Sequence, residues 1–418
     1  MRAGSLLATL KGYALAWEDP MNLRSLLAAI LFVAPLSTGF ASGQGRPAGG
    51  EYTFTLPFEL IDNRVFIEVR LNGKGPYHFI LDTGAVADID DHVAEQLGLK
   101  QRDAGEGQGV GEKTQHVGQA QIAEVQIGEL RLRDIAFGVI SLADSPQVFG
   151  TKPVDGIIGG VLFEAMVVKH DYIRRILTFT RPDKFTYSGP GMIVHFERPR
   201  QIPVVEAELD GVPGKFGVDT GARSALLLYG PFCSQNKLQE KYDARLEGVT
   251  GWGMGGPVRS LLARARELKI GDVEVRDFVI RLSTQKTGLT TSSAMAGLIG
   301  PDVLSQFDVT FDYGRSRIIF EKNKNYGRRD SYDRAGVWMG QAGKNFTVVD
   351  VIAGGPGQEA GVKQGDTILA IDGKSTDRMV LPEVRDGMRR RAVGDKVSLL
   401  LESGGKRHTA VITLRDLV

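Results

Sequence analysis

Two stretches decide the fold: FILDTGA (79–85) and FGVDTGA (216–222). In each, an apolar strand ends on an aspartate, and threonine, glycine and alanine come next. A strand fixes the aspartate rigidly. Glycine allows a tight turn and lets its backbone N–H approach the carboxylate. One such turn is ordinary, because aspartate often bonds its own backbone. Two in one chain raise the question of whether their downstream segments also match.

The same blocks recur in the same order. Asp82-Thr83-Gly84-Ala85 returns as Asp219-Thr220-Gly221-Ala222. VQIGELRLRDIAF (125–137) returns as LKIGDVEVRDFVI (268–280), DGIIGG (155–160) as AGLIGP (296–301), and HDYIRRILTF (170–179) as FDYGRSRIIF (311–320). Four matched blocks describe a duplicated, β-rich lobe. Short alternating or apolar runs broken by glycine predict strands in RVFIEVRLNG, HFILDTG, AQIAEVQIGELRLRDIAFGVI and RILTFT. DDHVAEQLGL predicts a helix with Asp90 or Asp91 near its N-cap. The expected architecture is mostly β: a duplicated bilobal β-barrel fold with a smaller α+β unit behind it.

Composition sets the outer bounds. The 418 residues allow two or three domains, and 42% hydrophobic with 24% charged residues is an ordinary globular balance. A formal net charge of +1 gives no whole-molecule field for nucleic acid or acidic lipid. The single cysteine, Cys233, excludes an intrachain disulfide and a thiol-rich metal site, and reads as a buried small apolar residue. The six histidines lack zinc-site spacing, so no metal is expected.

The N-terminus reads as an address. From Met21, with Arg24, an apolar run Leu26–Leu36 leads to small residues ending at Ala41. That is the form of a signal peptide cut after Ala41, with Met21 as the true start. It implies a periplasmic or secreted protein with no stable membrane span; an uncleaved membrane anchor is the alternative. Residues 42–50 read as a flexible linker, 51–185 and 190–323 as the two lobes, 324–334 as a surface linker, and 335–418 as a separate unit.

Two lobes facing across a two-fold axis would bring Asp82 and Asp219 together. Two carboxyls in contact cannot both ionise cheaply, so the pair shares a proton and offers a base and an acid at one point. The base can activate a water while the acid protonates a carbonyl oxygen, as amide hydrolysis requires. No cofactor beyond that water is needed.

On these motifs the chain resembles the aspartic peptidases, and closely their retropepsin-like branch, over about residues 51–323. The resemblance rests on both DTGA turns and on the triplets Ile157-Ile158-Gly159 and Leu298-Ile299-Gly300. It implies catalytic Asp82 and Asp219, with Thr83 and Thr220 cross-bracing the loops. Gly84, Ala85, Gly221 and Ala222 complete the turns, and Ile158, Gly159, Ile299 and Gly300 support them from behind. Ala85 and Ala222 match the retroviral form, where pepsin-type enzymes usually carry serine, and imply a less acidic optimum. Both lobes lie in one chain, so a monomer can form the pair; lobe exchange between two chains is the alternative.

Glycine-rich stretches at 105–118 and 247–260 read as two flaps, hairpins that close over an extended peptide, with Gly109, Val110, Trp252 and Gly253 at their tips. Trp252 either touches substrate or packs under its own hairpin. GWGMGG (251–256) also satisfies G-x-G-x-x-G, but strands succeed it where a dinucleotide site needs a helix. DIDD (88–91) reads as acids gathered at a helix N-terminus. The run Arg389–Arg391 reads as a solvated helix end.

GGPGQEAGVKQGDTILAIDGK (354–374) closely resembles the signature of PDZ domains of the bacterial type. Such domains add a peptide as an extra strand and hold its carboxylate on backbone N–H groups. The resemblance places that cradle at Gly336, Val337, Trp338 and Met339, beside a helix from about Leu381 to Arg390, without an obvious Gly-Leu-Gly-Phe sequence. Either the unit recruits peptides or it only docks on the lobes. Together the motifs imply an exported aspartic endopeptidase acting on peptide or protein substrates. The alternative is an inactive bilobal peptide-binding adaptor.

Overall fold

A computed structural model describes residues 53–199 and 201–418. The address-like N-terminal segment and the linker 42–50 lie outside the described residues. The fold is mostly β. Residues 59–158 supply an eight-stranded sheet in which strand Arg64–Leu71 pairs with both Lys74–Leu81 and Thr114–Ile127, curling the sheet on itself. Residues 204–299 repeat this with seven strands, and Val204–Leu209 pairs with both Val212–Val218 and Gly256–Ile270. The repeat seen in the sequence is thus a repeat of topology.

A third sheet joins the halves. Thr53–Pro57, Ile176–Thr180 and Val167–Asp171 come from the first, and Phe307–Asp312, Arg317–Lys322 and Met192–His195 from the second. The seam runs between Val168 and Phe311, Lys169 and Thr310, and His170 and Val309, antiparallel. One apolar core runs through both halves, with Phe79, Phe137, Phe163, Phe216, Phe278 and Phe311 fully buried. His170 lies in that core against Phe163 and Phe311, and burial drives its ring down to about 3, so it stays neutral.

The C-terminal unit has its own core around Phe346, Ile368, Leu399 and Ile412. Its strands run Val337–Ala342, Asn345–Val351, Thr367–Ile371, Lys396–Ser403 and Lys406–Thr413 across one sheet. The helix Leu381–Arg390 lies beside the edge strand Val337–Ala342.

Two expectations fail here for one reason. The segment 324–334 is not a surface linker: Asp330 and Tyr332 are buried. Arg389 is not solvated either. Its guanidinium donates to Asp302 at 3.1 Å and to Asp330 at 2.8 Å, and its Nε donates to the Ser331 carbonyl. Charges that look solvated in the sequence are paired across the joint between the C-terminal unit and the second lobe.

No helix among the described residues is long and apolar enough to cross a membrane.

Candidate active site

Each aspartate ends a strand that a short parallel neighbour supports. Phe79-Ile80-Leu81 pairs with Gly156-Ile157-Ile158, and Phe216-Gly217-Val218 with Gly297-Leu298-Ile299. The register delivers the Asp82 N–H to the Ile158 carbonyl at 2.9 Å and the Asp219 N–H to the Ile299 carbonyl at 2.8 Å. A Cβ on Gly159 would strike the Asp82 and Ala85 carbonyls, and one on Gly300 the Ser224 carbonyl. Glycine at these two places is therefore a demand of close backbone approach.

The two turns meet between the lobes. Thr83 N–H donates to the Thr220 hydroxyl at 3.0 Å, and Thr220 N–H to the Thr83 hydroxyl at the same distance. Each hydroxyl then donates across the joint, Thr83 to the Val218 carbonyl and Thr220 to the Leu81 carbonyl. Both threonines are fully buried. Four reciprocal bonds leave the loops little freedom to part.

On this brace sit Asp82 and Asp219, each carboxyl beside the other lobe's turn: a Cβ placed on Gly84 would lie 3.6 Å from the Asp219 carboxyl. The Gly84 N–H donates to Asp82 at 2.6 Å, and the N–H groups of Gly221 and Ala222 donate to Asp219 at 2.8 and 3.0 Å. A Cβ on Gly221 would fall on the Asp82 carboxyl. Burial raises both groups above an ordinary carboxylate, and the negative charge of Asp82 lifts Asp219 further.

The hairpins drape over these strands and meet. Gly111 N–H donates to the Met254 carbonyl at 2.9 Å, and Lys113 N–H to the Gly255 carbonyl at 3.1 Å. Each tip crosses to the other lobe. Val110 packs on Leu227, Tyr229, Val258 and Leu298. Trp252 packs on Phe66, Ile80, Val148, Phe149 and Val154. So Trp252 is not under its own hairpin; it packs on an apolar cluster of the first lobe that includes Ile80, two residues before Asp82. Its Nε1 is buried and finds no acceptor among the described residues. Gly109 is held too, its carbonyl accepting from Leu289 N–H, and Gly253 faces Val110.

Asp88 was not legible as a site feature. It does not serve the helix N-terminus, which Asp90 caps through His92 N–H. Asp88 is buried against Gly138, and burial, aided by the charge of Asp82, pushes it up to about 7. A group raised in the fold from 3.8 destabilises progressively from pH 4 to about 7. Asp88→Asn is therefore expected to be more stable than the parent at pH 7.5, by roughly 2–4 kcal/mol. Denaturant titrations should show the gap closing towards pH 4.

The expected peptide cradle is enclosed. Val337, Trp338 and Met339 are buried and Gly336 carries a positive φ of 67°. Among the described residues no cluster of three or more His, Cys, Asp or Glu could hold a metal ion. The charged group that sequence reading missed is a cluster around Asp62. Its carboxylate accepts from Arg64 at 2.7 Å and Arg223 at 2.6 Å, with Arg385 of the C-terminal helix 4.0 Å away. Arg64 also donates from Nε to the Gly221 carbonyl at 2.8 Å, so the cluster touches the Asp219 turn.

Comparison with known families agrees with this geometry. Residues 67–161 match the family described as Aspartyl protease, and residues 347–403 match the family described as PDZ domain. No curated protein matches the chain. The first match holds Asp82 and its supporting triplet, and the second holds the signature glycines and the helix Leu381–Arg390. The chain carries an aspartyl protease domain and, C-terminal to it, a PDZ domain.

Proposed function

We propose that the chain is an aspartic endopeptidase in which Asp82 and Asp219 share one proton and activate a water for peptide hydrolysis. The observation that carries the reading is the pair of carboxyls, each set beside the other lobe's turn on a reciprocal threonine brace. In the monoanion, the ionised carboxyl takes a proton from water as its oxygen bonds the peptide carbon, and the other carboxyl protonates the carbonyl oxygen. The pair then passes a proton to the nitrogen and takes one from a hydroxyl of the tetrahedral diol as the C–N bond breaks and the carbonyl re-forms, which restores the monoanion. Gly84, Gly221 and Ala222 N–H groups favour the anionic member throughout. The reaction draws on no group beyond water.

A monomer supplies both halves of the site. Val110 and Trp252 pack on apolar clusters of the opposite lobes, one on each side, where they would contact an extended peptide. The address-like segment from Met21 extends the reading to a periplasmic or secreted enzyme, and the PDZ domain supports binding of peptide in general.

Cleavage of a quenched peptide library by the full chain tests this. Both carboxyls are raised, so the monoanion persists to higher pH than in a pair of ordinary carboxyls. Turnover should therefore peak well above the strongly acidic range. A maximum at about pH 2 would contradict the pH assignment, and no cleavage from acid to neutral pH would overturn the function.

A further inference from the structure

The groove of the PDZ domain, between its edge strand Val337–Ala342 and its helix Leu381–Arg390, is filled by the protease itself. A short helix of the first lobe, Pro146–Phe149, lies in it. Arg385 donates to the carbonyls of Val148 (2.7 Å) and Gln147 (2.6 Å) and to that of Met339 on the edge strand. The Gln147 amide donates to the Gln341 carbonyl at 3.2 Å. Trp338, from the expected cradle, is stacked by Arg385 and Arg223 at 4.6 and 5.2 Å from the ring centre.

The clamped helix has a second face. Val148 and Phe149 belong to an apolar cluster with Phe66 and with Ile80, itself two residues before Asp82, and Phe149 is edge-on to Phe66 at 5.1 Å. Trp252, on the hairpin strand Glu247–Gly253, packs against the same cluster. The PDZ domain holds that strand as well: Asp350 accepts from Val249 N–H at 2.6 Å and pairs with Arg259 at 3.2 Å.

We infer that this cluster is the substrate pocket on the Asp82 side, opened when peptide displaces Trp252, and that the PDZ domain builds it, with Arg385 and Asp350 as positioning residues for its two parts. This rests on the proposed peptidase reading. The groove is given to the chain's own helix, and its grip sets the pocket's selectivity for a large apolar side chain. The mechanism is mechanical and local. Arg385 fixes the backbone of Gln147 and Val148, so Phe149 cannot turn away. Asp350 fixes the root of the strand that carries Trp252.

The test uses the full chain with Arg385→Met, Arg385→Lys and Asp350→Asn. Amide exchange reads residues 147–150 and 249, and 5-fluorotryptophan NMR reads Trp252, assigned through Trp252→Phe. Cleavage is compared for two quenched peptides that differ by Phe or Ala at the residue in this pocket. Arg385→Met should speed exchange at 147–150 at least about ten-fold and move the Trp252 resonance. The Phe-over-Ala preference in kcat/KM should fall about ten-fold, through KM rather than kcat. Arg385→Lys should recover part of this. Asp350→Asn, which leaves Arg385 in place, should act on residue 249 and Trp252 alone. Unchanged exchange at 147–150 in Arg385→Met overturns the inference. So does faster exchange with an unmoved Trp252 resonance and an unmoved preference. If the wild type cleaves nothing, the peptidase reading fails, and exchange and resonance still decide the clamp.

Discussion

On the proposed peptidase reading, Asp82→Asn and Asp219→Asn should each lower kcat for peptide cleavage by about 10³-fold or more, with KM little changed. Neither amide can take a proton from water or pass one to a carbonyl oxygen at these pH values. The two acids work as one unit, so the double variant should be no slower than either single one. Stability separates this outcome from damage to the fold. Burial raises both carboxyls, and the charge of Asp82 raises Asp219 further, which means the folded chain bears a cost for ionising them. A neutral isostere removes that cost. Each single variant should therefore resist denaturant better than the parent at neutral pH while losing turnover. Turnover within ten-fold of the parent in either variant would sink the dyad.

The second large effect is structural. Asp62→Ala should destabilise the chain by about 3–5 kcal/mol, because it strands buried guanidiniums without their counter-charge. The Asp62 side chain is 3% exposed, and Arg64, Arg223 and Arg385 are nearly as enclosed. Burial acts to raise this carboxyl, and Arg223, Arg64 and Arg385 outweigh it and hold it at about 2. A carboxyl depressed from 3.8 contributes stability that is complete above about pH 4 and is lost as pH falls through 2. Urea midpoints measured at pH 6 and pH 3 should show the variant's deficit shrinking in acid. A deficit below about 1 kcal/mol at pH 6 would show that the cluster is relaxed and hydrated.

The sequence made the repeated elements legible because repetition is local information. DTGA, the Ile-Gly triplets and the matched strand blocks each announce themselves within a few residues, and two copies in register imply a shared joint. The PDZ signature from Gly354 to Lys374 is equally local. Charges were misread wherever the partner lay far away. Asp62 meets Arg223 and Arg385 across more than 160 residues of chain, and Arg389 meets Asp302 and Asp330. A polar residue paired across a domain joint has the same composition as one in water. Asp88 was misread for a related reason. It shares a run of acids with Asp90 and Asp91, but it lies inside a short strand buried on both faces from Ala87 to Ile89, while Asp90 caps the helix. The placement of Trp252 against the opposite lobe was likewise invisible, since nothing in its own hairpin shows where the tip lands.

Two backbone links, Gly111–Met254 and Lys113–Gly255, latch the hairpin tips together. On the proposed peptidase reading, the middle of a folded protein should reach the acids only after those links let go. Cleavage of internal loops should then have a ceiling set by how often the tips unlatch, below the ceiling for short unstructured peptides that can be threaded beneath them.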